Sequence, residues 1–157
     1  MVIKRGLMLF WALWLSIVFM SNIADGLKAL KVLPDTWPFA SGNYLFMVKV
    51  TNIYNTPESM VAILFSGVVI WEGLGALLFW RSFREFNGVN GSGLTTVYTA
   101  FGVSLALWAA FVIADEIFVA YKTANVEGTH MSVFASQLIS LLVLRLLPDE
   151  SVKSDSL

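Results

Sequence analysis

One carboxylate, Glu72, stands near the centre of the apolar run Ser59–Trp80. A spanning helix needs about 20 apolar residues, and an acid at its middle costs on the order of 3 kcal/mol to insert. Such a residue calls for a reason, either chemistry or a buried hydrogen bond. Other polar candidates lie at comparable places. Gln137 falls within a later apolar run, Asp115 and Glu116 lie near the end of another, Asn22 and Asp25 close the first, and His130 precedes the last. Read by depth, these form two layers: an outer rim of Asn22, Asp25, Asp115, Glu116 and His130, and a deeper carboxylate–amide pair, Glu72 with Gln137. Two kinds of chemistry fit. The rim and Glu72 suit a proton or cation path, the usual employment of intramembrane carboxylates. Alternatively a protonated Glu72 donates to Gln137 or to backbone and locks the helices together.

Much else is excluded. The chain contains no cysteine, so disulfides, thiolate metal sites, iron–sulfur ligation and cysteine nucleophiles fall away. Its one histidine rules out a bis-histidine haem within one chain. Carboxylates with a single histidine, without ligand-type spacing, give no metal site, and no cofactor is expected. No nucleophile elbow, P-loop or dinucleotide fingerprint occurs. The net charge of -1 offers no basic surface for nucleic acid. Most of the six tryptophans (Trp11, Trp14, Trp71, Trp80 and Trp108) fall inside apolar runs, where packing and interfacial anchoring account for them.

The elements that must carry these residues follow from composition. With 57% hydrophobic and only 13% charged residues, the chain reads as a polytopic membrane protein. The expected fold is all-α, a four-transmembrane-helix bundle forming one membrane domain over residues 1–157. The spans are placed at 6–24, 59–80, 94–121 and 131–147, with an outer loop at 25–58 and a polar, disordered tail at 148–157. The basic start and apolar run at the N-terminus share the plan of a signal peptide, but the run is long for one and reads as the first span. In the loop, Leu33-Pro34-Asp35 breaks the helix and Trp37-Pro38-Phe39 suits an interfacial turn. Asn43–Tyr54 is apolar but too short to span, and reads as an amphipathic or re-entrant helix, with a pair of short strands as the alternative. Asn55-Thr56-Pro57-Glu58 signals the next helix start, with a capping side chain, proline in the first turn and an acid at the dipole's positive end. Asn87–Gly93 is a polar turn; its Asn90-Gly91-Ser92 matches a glycosylation acceptor but falls on the inner side.

Two small-residue patterns predict helix packing. Gly102 and Ala109 share a face with Glu116, and Ser132, Ser136 and Ser140 form a small-xxx-small seam on the last span. Lysine and arginine divide six (Lys4, Arg5, Arg81, Arg84, Arg145, Lys153) against four (Lys28, Lys31, Lys49, Lys122), which favours both termini in the cytoplasm.

This layout resembles a bacterial family of predicted small integral membrane proteins with four helices. The likeness rests on Asn22-Ile23-Ala24-Asp25 closing the first span, Trp71-Glu72 in the second and Glu116-Ile117-Phe118 ending the third, with Ile117 where that family has tryptophan. The resemblance implies a bacterial inner-membrane location and singles out Asn22, Asp25, Glu72 and Glu116. It implies no activity. The functional expectation is a non-enzymatic structural or accessory subunit embedded in the lipid bilayer, associating with other membrane subunits or with itself. The competing expectation is a small proton-coupled transporter or channel built on Glu72, and a membrane enzyme acting on lipid or quinone ranks third.

Overall fold

The computed structural model describes residues 2–87, 93–122 and 126–147. Four helices are long and apolar enough to cross a membrane: α1 (Val2–Ala29), α3 (Glu58–Glu85), α4 (Leu94–Ile117) and α5 (Val126–Leu146). A short α2 (Asn43–Thr51), extended by a 3₁₀ turn at Asn52–Tyr54, fills the first loop. Among the described residues there is no strand, so the fold is the expected all-α bundle, and the loop segment is helical. The tail 148–157 and the turn containing Asn90 lie outside the described residues.

The helices differ from expectation mainly at their ends. α1 runs to Ala29 and closes where Lys31 takes a left-handed conformation (φ 58°), ahead of Pro34. The short apolar window 6–24 underestimates it because Asp25 and Lys28 tolerate a helix end at the interface. α4 stops at Ile117 instead of reaching Tyr121. Val119 turns left-handed (φ 50°), and the chain continues as a 3₁₀ turn at Ala120–Lys122. The start of α3 also departs from its predicted cap. Pro57 holds the N-cap position with no side-chain cap bond, while the Thr56 hydroxyl donates back to the Thr51 carbonyl at 3.0 Å. Gly93 (φ 90°) holds the N-cap of α4, where a Cβ would run into the Glu85 carbonyl, so the tight entry requires glycine.

Packing follows the order α1–α3–α4–α5. α1 lies along α3, α3 along α4 and α4 along α5, while α5 barely touches α1. Lipid tails are as apolar as the side chains, so association depends on close packing and interhelical hydrogen bonds. The tryptophans supply several of these. Trp11 Nε1 donates to Ser140 Oγ, Trp80 Nε1 to Ser16 Oγ and Trp71 Nε1 to the Val103 carbonyl, each at 3.0 Å. Away from α2, the bundle is sealed by a core that includes Met8, Leu15, Phe79, Phe101 and Leu144. There Phe79 and Phe101 meet edge to face at 4.9 Å.

The small-residue patterns behave differently from expectation. Gly102 and Glu116 are exposed and Ala109 only half-buried, so their shared face looks out of the bundle. α4 instead packs through Val97, Phe101, Ser104, Trp108 and Asp115 at helical spacing. Of the serine seam only Ser140 is buried; Ser132 and Ser136 are exposed and border an open groove between α1 and α5.

Candidate functional site

The helical period puts Glu72 on the buried face of α3 with Phe65, Ala76 and Phe79. It lies about 20 Å from either end of that helix at 1.5 Å per residue, and is 2% exposed. Its partner comes from α1. Asn22, 1% exposed, donates its side-chain amide to both carboxylate oxygens, Nδ2 lying 2.8 Å from Oε1 and 2.8 Å from Oε2. The Asn22 carbonyl in turn accepts from Asn43 Nδ2 at 2.9 Å. A line of amides thus runs from an exposed residue at the start of α2 to a carboxylate at mid-span.

Three residues along α1, Asp25 performs a different task. Its Oδ2 accepts the backbone N–H of Tyr44 at 2.7 Å and the Ser41 hydroxyl at 3.2 Å. Gly42 at the N-cap of α2 (φ 79°) has no side chain, so the neighbouring helix supplies the cap. The rest of α2 seats Tyr44 against Phe65 at 5.4 Å, and the Tyr44 hydroxyl donates to Glu58 at 3.4 Å. Desolvation, with Glu58 beside it, pushes the Tyr44 hydroxyl up from its ordinary value, keeping it a donor.

The second polar cluster joins α4 to α5. His130 Nδ1 lies 2.7 Å from Asp115 Oδ2, and its ring stacks on Phe111 at 4.8 Å with Trp108 nearby at 6.0 Å. Glu116, next in sequence, points out of the bundle. Gln137 donates to Ser104 Oγ at 2.6 Å, deep between the same two helices.

These positions revise the expected layers. Asn22, assigned to the rim, is the partner of Glu72, because α1 extends beyond the predicted span and carries Asn22 inward. Gln137 does not pair with Glu72. α5 packs on α4 and not on α3, so that amide faces a serine instead. Asp115 and His130 do come together near the end that α2 covers, while Glu116 is apart from both. Reading the sequence alone missed Asn43 and Ser41. The polar triplet Ser41-Gly42-Asn43 before an apolar run was a helix-start signal there to be used.

Between α1, α2, α3 and α4 lies a cavity of about 310 Å³. Glu72 and Asn22 line it, as do Asp115 and His130, so it connects the mid-span carboxylate with the acid–imidazole pair. Most of its wall is carbon, including Phe65, Val68, Trp71, Leu107 and Phe111. No lysine or arginine is among the described lining residues. Trp108, also on the wall and 5% exposed, carries an indole N–H that has no acceptor among the described residues. A mostly apolar hollow with a few convergent polar groups is the ordinary form of a small-molecule site. In contrast, the packed Phe79–Phe101 region on the far side of Glu72 separates the cavity from the other end of the bundle.

The fold and this hollow define a class: an integral membrane protein of four spanning helices with a hollow that reaches from the α2 end to a carboxylate at mid-span. No protein-family model, curated protein or solved structure matches the chain.

Proposed function

We propose that this protein is a non-enzymatic, membrane-embedded binding subunit that holds a small, largely apolar molecule in the Glu72 cavity. The supporting observation is the cavity itself, about 310 Å³, walled mainly by carbon and carrying the buried Glu72–Asn22 pair on its lining. A carboxylate that served only to lock helices would have no need of adjoining open space. The same arrangement supports proton-coupled transport as an elaboration of binding, with the Phe79–Phe101 region as a closed gate, better than it supports an open channel. On the lysine and arginine balance we place the α2 end outside and both termini in the cytoplasm. On the resemblance, we place the protein in a bacterial inner membrane.

Assembly with other membrane chains is a second reading, favoured by the outward position of Gly102, Ser132 and Ser136. One purification separates the two. Wild type and Glu72→Gln are isolated from native membranes in mild detergent, and both proteins and small molecules are identified by mass spectrometry. The binding reading expects a small molecule in near-stoichiometric amount with wild type and its loss from Glu72→Gln. A constant set of protein partners in both variants, with no small molecule in either, would replace it with the assembly reading.

A further inference from the structure

We infer that the ligand of this cavity is an organic cation with an apolar body, and that Glu72 is its counter-ion. The inference rests on the binding reading above and adds the charge of the occupant. A carboxylate removed from water needs either a proton or an opposite charge. Among the described residues, the hydrogen-bond donor to Glu72 is neutral, the Asn22 amide.

Among the described lining residues, the charged and polar groups beside Glu72 are already engaged with one another. On the α4–α5 side the basic group among the described lining residues, His130, is taken by Asp115 at 2.7 Å. From α2 the facing polar groups are Asn43, an amide, and Thr51, a hydroxyl that donates to the Met47 carbonyl, while Asp25 on α1 is turned to the start of α2. The described lining therefore carries two acids and one imidazole, and neither lysine nor arginine.

The walls decide what kind of cation is suited. Hard metal ions take six or more oxygen ligands, and this lining is mainly carbon. Aromatic rings, by contrast, attract a diffuse cation through their faces, most strongly once it is desolvated. Phe65, Trp71, Trp108 and Phe111 all border the space. A cavity of about 310 Å³ accommodates a ring-sized molecule.

The test compares two probes of one shape and different charge, benzyltrimethylammonium and its carbon isostere neopentylbenzene. Binding to the full chain in phosphatidylcholine nanodiscs is read from tryptophan fluorescence, with Trp71 and Trp108 at the site. The cation is expected to bind at least about tenfold more tightly than the isostere, as for other desolvated charge pairs. Glu72→Gln is expected to bring the two affinities together. If that variant does not fold, Glu72→Asp, which draws the charge back by one methylene, should narrow the preference severalfold. Equal binding of both probes to wild type would overturn the cation inference and leave the binding reading standing. Binding of neither would overturn both.

Discussion

At the scale of single residues, the Asn22–Glu72 pair is an asymmetric bond. One amide nitrogen serves both carboxylate oxygens, and its own carbonyl is held by Asn43. Removing the donor strands a buried acceptor, which costs more than the bond contributes while present. Asn22→Leu is therefore expected to destabilise the bundle by about 2 kcal/mol, read as the midpoint of unfolding by sodium dodecyl sulfate. The double variant Asn22→Leu/Glu72→Leu, which leaves neither partner stranded, should cost less than Asn22→Leu alone. Additive losses would show that the two side chains act independently. Glu72 could be singled out from the sequence because an acid within an apolar run is conspicuous by composition. Its partner was not legible there. Both asparagine and glutamine satisfy a carboxylate, and the choice depends on which helix packs against α3, information absent from the local pattern.

At the scale of elements, α2 is short for an independent helix, since nucleation is unfavourable and few turns follow to offset it. It holds because Asp25 caps it from α1, Tyr44 inserts against Phe65, and Asn43 joins the amide line. Asp25→Ala should cost about 1 kcal/mol, confined to α2. Hydrogen exchange of the amides in 43–51 is expected to speed about fivefold, with the protection of α3 around Glu72 unchanged. Equal acceleration in α3 would mean that α2 and the bundle open as one unit. The existence of α2 could be read from an apolar run too short to span. Its cap could not, because the capping side chain is remote in sequence and arrives only when the loop folds back. At Asn55-Thr56-Pro57-Glu58 the helix start and the acid in the first turn are where the sequence puts them, and only the capping side chain is missing, because Thr56 bonds back to Thr51 and not forward into α3.

At the scale of the whole molecule, the question is which helix faces are inside. Small residues at heptad spacing mark a close approach between helices without saying to what, and Gly102 and Gly73 illustrate the two outcomes. A Cβ at Gly102 would meet no atom within 4 Å, whereas at Gly73 it would stand 2.8 Å from the Phe19 ring. Gly73 is thus where α1 and α3 press together, beside Glu72, and the ring must move to admit a methyl group. Gly73→Ala is expected to cost about 1–3 kcal/mol through overpacking. Gly102→Ala should be neutral or gain up to about 1 kcal/mol, since alanine suits a helix interior better than glycine. Both are read from detergent unfolding at low protein concentration, where association is weak. Repeating Gly102→Ala at high concentration makes the comparison informative about assembly. A loss that emerges only as the chains crowd together would place the Gly102 face against a second chain, and the seven-residue pattern on α4 would then have found its partner outside this bundle.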